Sequence, residues 1–397
     1  MQQQNVILRS HMDHISSMLQ ERLSAHELIQ SYGQEKTEST HFSSQAKQVM
    51  DASIRGSTYS ITFNQLSAFL NKIGNTLIYC AGCYYFVKGS MGYGDVVAFC
   101  AYATQILGPV VRFTTVANQV VQVGVSVDRI NEVLDREPAI TEAPDAVPVE
   151  TLKGDIKVDG VTFKYDDGTP ALEDVHLSFK AGMHLALVGP AGSGRSTMAM
   201  LVRRFYEPGD GNIQVDGTDI KQYQLKDYPN AIAMALPESA IFDDTIRANL
   251  CYGKPDAAEE RMIEVSKAVG LHSFVEGLAD GYDTRLGTGG LKLSPTQLVQ
   301  LAVARAVVME PAILTVDDTY STIEEDVEKR LRAAVRTALQ DRTIIIATSR
   351  LSICEDADLV VTMQNGKVIQ VGTHEGLLSE VGLYRRMYMR QMGMEDL

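Results

Sequence analysis

The chain has 397 residues, 45% of them hydrophobic, which gives room for two or three domains with real cores. Its 50 acidic against 36 basic side chains leave a formal net charge of -14, which disfavours nucleic acid as a partner but allows a local cationic site for a small anion. Five scattered cysteines, Cys80, Cys83, Cys100, Cys251 and Cys354, make no disulfide framework and suit a reducing compartment.

The first 135 residues read as helix almost throughout. Met1 to Ser17 is polar and lacks the apolar stretch of a signal peptide. Residues 1–60 contain no proline, and glycine only at Gly33 and Gly56. Two apolar stretches follow, about Leu66 to Val87 and Val96 to Val111, separated by the turn-like Lys88-Gly-Ser-Met-Gly-Tyr-Gly-Asp95. The first carries Asn71, Lys72 and Asn75, and the second is shorter than the ~20 apolar residues a bilayer span asks for. Hydropathy alone therefore fits a buried helical hairpin nearly as well as a pair of spans; the polar positions suit a helix facing other helices or a water-filled path. Cys80 and Cys83 form a C-x-x-C inside the first stretch with no second pair, which favours an ordinary helix pair over a metal or redox site. Residues 118–136 are amphipathic, with Val120, Val121, Val123, Val127, Ile130 and Val133 around Asp128 and Arg129.

Pro138, Pro144 and Pro148 then fall in a short acidic stretch that cannot continue a helix and marks a linker. From Gly154 onward strands alternate with helical patterns. Ile156 to Tyr165, Leu185 to Val188, Ala312 to Val316 and Thr343 to Thr348 read as strands, which predicts an α/β domain with a largely parallel sheet.

Leu185 to Val188 runs straight into Gly189-Pro190-Ala191-Gly192-Ser193-Gly194-Arg195-Ser196-Thr197, with a helix predicted from about Thr197. The spacing is that of G-x4-G-K-[ST] with arginine in place of lysine. Glycines let backbone N–H groups converge on phosphate oxygens, the helix adds its positive end, and Ser196 offers a hydroxyl to Mg²⁺. A glycine-rich turn that binds nothing is the weaker reading, because strand, loop and helix are all in place. Arg195 keeps the charge, but its planar guanidinium fits terminal phosphates differently from a compact ammonium.

At this point the sequence resembles the ABC exporter family over essentially its whole length. The stretches that carry the resemblance are, in order, Leu19-Gln-Glu-Arg-Leu-Ser24, Val161-Thr-Phe-Lys-Tyr165, the loop at Gly189, and Ile241-Phe-Asp-Asp-Thr-Ile-Arg247. They continue with Leu291-Lys-Leu-Ser-Pro-Thr-Gln297, Ala302-Val-Ala-Arg-Ala306, Ile313-Leu-Thr-Val-Asp-Asp318 and Arg350-Leu-Ser352. The resemblance implies an α/β P-loop NTPase domain of the ABC type preceded by an all-α partial transmembrane domain. It places that partial domain at 1–137, with a coupling helix at about 23–33 and membrane helices at about 66–87 and 95–117. A linker would occupy 138–153 and the nucleotide-binding domain 154–397. The family has six spanning helices and the match begins after the fourth, so the other four are expected either to be truncated or to come from another polypeptide. Both chain ends would be cytoplasmic, in weak agreement with Lys47, Arg55, Arg112 and Arg129 on that side.

Carried over residue by residue, the resemblance implies that Tyr165 stacks on adenine; packing in a core suits a strand-end tyrosine equally well. Asp317 would orient Mg²⁺, together with Ser196 and Glu238. Asp318 stands at the position of a catalytic glutamate, its carboxylate withdrawn by roughly 1 Å, a misplacement that can cost on the order of 10²-fold. Ser349 stands where a histidine senses the terminal phosphate, Glu238 where a glutamine links metal and water to the membrane domain, and Glu324 replaces an aspartate of the loop that crosses to the partner. Leu293-Ser294-Pro295-Thr296-Gln297 occupies the signature segment L-S-G-G-Q, whose backbone N–H groups reach ATP held by the opposite subunit. Pro295 has no N–H to give, and Thr296 is bulkier than glycine, although proline is comfortable in a helix's first turn. The expectation is a membrane subunit that binds ATP with Mg²⁺, hydrolyses it poorly, and works with a second ABC subunit, in a heterodimer. The rival expectation is a non-catalytic regulatory or scaffolding subunit, or an inactive fragment.

Overall fold

The computed structural model describes residues 2–236, 241–287 and 289–394 and divides into two units, Met1–Arg136 and Glu137–Leu397. The first is helical: α1 (Gln2–Ser24), α2 (His26–Ser31), α3 (Glu35–Val87) and α4 (Tyr93–Leu134). α1 and α4 each run against α3. Gly82 permits the α3–α4 approach, because a Cβ there would stand 2.8 Å from Val96 Cγ1. Asp95 opens α4 by accepting from the Gly92 N–H at 2.9 Å. Few of the described side chains of this unit are buried; Leu66, Phe69, Leu77 and Phe99 are all more than half exposed.

The expected spans at 66–87 and 95–117 fall on two helices, α3 and α4, that are longer than the spans. Each is a segment of a longer one, since the flanking polar residues are themselves helix formers and nothing stops the helix before Lys88 or after Gly92. Among the described residues, no helix is long and apolar enough to cross a membrane. Length is ample in both α3 and α4; polar positions such as Asn71, Lys72 and Asn75 lower the apolarity.

The second unit is built on two sheets. One is antiparallel, in the order β2-β1-β4-β5, formed by β1 (Ile156–Lys164), β2 (Pro170–Phe179), β4 (Asp210–Val215) and β5 (Thr218–Asp219). The other has the order β10-β9-β3-β8-β7-β6, from β3 (His184–Val188), β6 (Ile232–Ala235), β7 (Ile313–Asp317), β8 (Thr343–Thr348), β9 (Leu359–Gln364) and β10 (Lys367–Gly372). Within it β9, β3, β8, β7 and β6 are parallel, and only β10 runs against its neighbour. β7 and β8 are short runs of Ile, Leu, Val and Thr buried almost throughout, the pattern of strands covered on both faces. The helices are α5 (Arg195–Val202), α6 (Tyr228–Ala231), α7 (Ile246–Leu250), α8 (Glu259–Ala268), α9 (His272–Glu276), α10 (Pro295–Val308), α11 (Glu325–Ala338), α12 (His374–Ser379) and α13 (Leu383–Gln391). α5 starts two residues before the predicted Thr197, because Gly194 at φ +98° turns the chain directly into it. One core lies between the sheets and α5, around Val161, Ile213, Leu187 and Leu201; a second surrounds α10, with Leu301, Val303, Leu314 and Val316.

One turn fastens the start of this unit. Asp216, left-handed at φ +52°, accepts from the backbone N–H groups of Lys153 (2.6 Å), Gly154 (3.1 Å) and Asp155 (2.9 Å). Three donors on one carboxylate make Asp216→Ala cost about 2–3 kcal/mol in a denaturant titration of the full chain, and Asp216→Asn less, since the amide keeps one acceptor oxygen.

Candidate nucleotide-binding site

The parallel register sets the site. Val188 pairs with Thr348 and Ala347 with Asp317, so β3, β8 and β7 end at one level and their following residues meet. The carboxyl end of a parallel sheet is where such folds place ligands. The glycine loop leaves β3 in a tightly confined path. A Cβ on Gly189 would stand 2.1 Å from the Met363 carbonyl oxygen, and one on Gly194 would stand 2.7 Å from that of Ala171. Only glycine fits either place. Ser193 is buried within the loop and its N–H donates to the Pro190 carbonyl at 3.2 Å.

Arg195 does not project freely. Its Nη1 donates to the carbonyls of Gly189 (2.7 Å) and Thr348 (2.6 Å), across the ends of β3 and β8. Burial lowers its pKa from the ordinary arginine value, while Asp318 and Asp317 act in the opposite sense and favour the charge. Ser196 Oγ donates to Asp317 Oδ1 at 2.7 Å. A hydroxyl and a carboxylate joined at a strand end are hard oxygen donors of the kind Mg²⁺ takes, so these two residues fit the ion the sequence implies. Asp317 is buried; that burial, with Asp318 beside it, raises its pKa, and the Ser196 hydrogen bond and Arg195 only partly oppose the rise.

Asp318 sits in the left-handed region at φ +45° and accepts from the Ser349 N–H (3.2 Å) and hydroxyl (3.1 Å) through Oδ1. The residues that follow β7 and β8, Asp318 and Ser349, are thus bonded to each other. Tyr165 is half-buried, its hydroxyl 2.8 Å from Thr197 Oγ1, and it meets Phe163 and Tyr206 edge-on at 5.1 and 5.5 Å. Pro190, Ala191 and Gly192 form the outer, exposed part of the loop, with Gly192 at φ +74°. Glu238 lies outside the described residues.

The signature residues are not brought to this cluster; they open α10. Ser294 caps it, accepting from the Gln297 N–H at 3.3 Å, while Gln297 Oε1 accepts from the Ser294 N–H at 2.7 Å. Pro295 takes the first helical position, and Thr296 follows it. Glu324 is exposed and precedes α11. The sequence did not point to Glu328. It is fully buried, accepts from Arg350 Nη1 at 2.7 Å, and lies 3.1 Å from Arg332 Nε; Arg350 Nη2 also donates to the Ile323 carbonyl at 2.6 Å. A glutamate one turn inside a strongly amphipathic helix, facing an arginine after β8, was the only available signal.

A glycine loop between a parallel strand and a helix, with a serine from that helix bonded to a carboxylate on the next strand but one, defines a P-loop nucleotide-binding domain. The family described as ABC transporter matches residues 172–321, and that described as ABC transporter transmembrane region matches residues 1–110. The chain is 32% identical over 379 residues to YgaD of Bacillus subtilis (strain 168), named provisionally as a multidrug export ATP-binding/permease protein, covering 95% of this chain and 65% of that one. It is 30% identical over 384 residues to the ATP-dependent lipid A-core flippase of Syntrophus aciditrophicus (strain SB), covering 96% and 63%. A bacterial Atm1-family ABC exporter with ATP bound superposes with a TM-score of 0.88 at 28% identity, over 97% of this chain and 69% of that one. The chain belongs to the ABC transporter family, with a transmembrane-region segment fused ahead of the ABC domain. It spans somewhat less than two thirds of the length of these two curated relatives.

The raised pKa of Asp317 sets a direction for stability against pH. A buried carboxyl held above its unfolded value destabilises the nucleotide-free fold once it must ionise, so stability is lost as pH rises from the unfolded value near 3.8 through the raised one. Asp317→Asn removes that loss. The variant is expected to melt above the wild type at pH 7 in the absence of nucleotide, with the difference shrinking as pH falls toward about 4.

Proposed function

We propose that the chain binds Mg·ATP in this cradle as the nucleotide-binding part of an exporter-type ABC subunit, and that nucleotide binding drives export across a membrane. The observation that carries the reading is the Ser196–Asp317 pair set beside a loop whose glycines admit no side chain. Backbone N–H groups of the loop and the positive end of α5 together offer an anion site, and the two oxygens offer a metal site. The helical unit would sit in the bilayer with further helices, and both chain ends would lie on the nucleotide side. The names of the relatives cover lipid A-core and multidrug cargo, and export of an apolar or amphipathic cargo is the activity extended to this chain.

Hydrolysis is proposed to be weak and to depend on a second, different ABC subunit. Arg195 is spent on two carbonyls, Asp318 on Ser349, and the start of α10 lacks the N–H that Pro295 cannot supply. In a homodimer these features would meet in both sites; beside an intact partner each site would have one good half. The same observations support a second reading, in which the subunit binds nucleotide only to hold a complex together.

Calorimetry on the full chain in detergent is expected to give saturable binding of Mg·ATP; absence of any heat would remove the proposal. Arg195→Lys should tighten that binding by about tenfold, the worth of one charge-assisted hydrogen bond restored to phosphate. Asp318→Glu combined with Ser349→His should raise phosphate release by on the order of 10²-fold when mixed with a catalytically intact ABC subunit. No gain in that mixture favours the scaffolding reading.

A further inference from the structure

A cavity of about 190 Å³ opens on the opposite end of β3 from the glycine loop, roofed by α11 and floored by Leu185, Ile344 and Ile353. Its walls are apolar, yet three cations of α11, Lys329, Arg332 and Arg336, stand around it against one acid, Asp356. Each cation has an acidic partner: Glu325 at 2.7 Å from Lys329, Asp356 at 2.6 Å from Arg332, and Asp358 at 3.9 Å from Arg336. These acids are 59, 65 and 41% exposed, so each can turn to water with little loss and leave its cation to another anion. Arg332 stays in place meanwhile, held from behind by the fully buried Glu328.

The second observation is Tyr320. It lines the cavity and is only 2% exposed. The nearby charges that act on it are Arg332 and Glu328. An apolar cleft with a few convergent polar groups is how small-molecule sites are built, and this one is sized for a single ring rather than a larger ligand.

We propose that this cavity binds a small organic anion, a carboxylate carried on a compact aromatic or branched apolar body. The ring or branched group fills the space over Leu185 and Ile344. The carboxylate accepts from the Tyr320 hydroxyl in the field of Arg332, and Lys329 and Arg336 add positive charge at the rim. Nothing in this reading depends on what the glycine loop binds, and the site can be tested without nucleotide.

Benzoate is a suitable probe, followed by ligand-observed NMR on the full chain in detergent, with benzyl alcohol as the uncharged control. A ligand of about nine heavy atoms is expected to bind near the millimolar range, one per chain. Benzyl alcohol should bind at least tenfold more weakly. Tyr320→Phe keeps the ring and should weaken benzoate about five- to tenfold; Arg336→Ala should weaken it about threefold. Ala333 is exposed on α11, so Ala333→Trp fills the opening without disturbing a core and should abolish saturable binding, with an unchanged melting profile as the check on folding. The proposal is overturned by benzoate signals that do not saturate up to about 20 mM. It is equally overturned by saturable binding that survives both Tyr320→Phe and Ala333→Trp.

Discussion

The common level at which β3, β8 and β7 end is the constraint on which the rest of the site depends. Parallel strands advance together, so pairing Val188 with Thr348 and Ala347 with Asp317 delivers Gly189, Ser349 and Asp318 to neighbouring points in space. Three side-chain contacts of the cluster span two of those exits. Arg195 bridges β3 and β8, Ser196 reaches from the helix after β3 to β7, and Ser349 reaches from β8 to Asp318. A one-residue slip of β8 would turn its side chains to the other face and separate all three contacts at once. The interior Ile and Val runs that hold the register therefore matter to the chemistry as much as the polar residues do.

That geometry also ties the charged groups of the cradle together. In the absence of nucleotide the charged groups of the cradle are already satisfied by protein partners: the arginine by carbonyls, the second aspartate by an amide and a hydroxyl, the first aspartate by a serine. A phosphate entering the loop must compete with those contacts rather than with water alone, and the free energy of exchanging them is subtracted from the gross attraction. Arg195 enters that competition with one guanidinium nitrogen, Nη1, already donating to two carbonyls. The arrangement is self-consistent as a resting state of the nucleotide-free cradle.

How much of this was legible in the sequence follows from what each signal depends on. The loop was legible because close backbone approach admits only glycine, a requirement written in residue identity at Gly189 and Gly194. The strands from Leu185, Ile313 and Thr343 were legible to within a residue or so because burial on both faces demands near-continuous apolar runs, and that from Ile156 because one buried face gives an alternating pattern. Helix limits in the first unit were not legible, since the polar residues that flank the apolar stretches are helix formers too and α3 simply continues through them. The direction of the Arg195 side chain, the triple acceptance by Asp216 and the buried Glu328 were out of reach for another reason. Each depends on a partner 60 or more residues away, or across a helix–strand junction, that no local pattern reveals.

The start of α10 shows how the same residues can preserve a fold while altering its use. Four N–H groups at a helix start lack intrahelical partners, and here Ser294 and Gln297 satisfy each other across that first turn while Pro295 removes one donor outright. The helix loses nothing by this: proline is pre-set for the first position, and the reciprocal cap covers an N–H that would otherwise need water. A partner's phosphate, by contrast, would find one donor missing, one engaged, and a branched threonine where close approach is needed. A helix start can thus accept a proline and a reciprocal cap at no cost to the fold while offering an anion fewer free N–H groups.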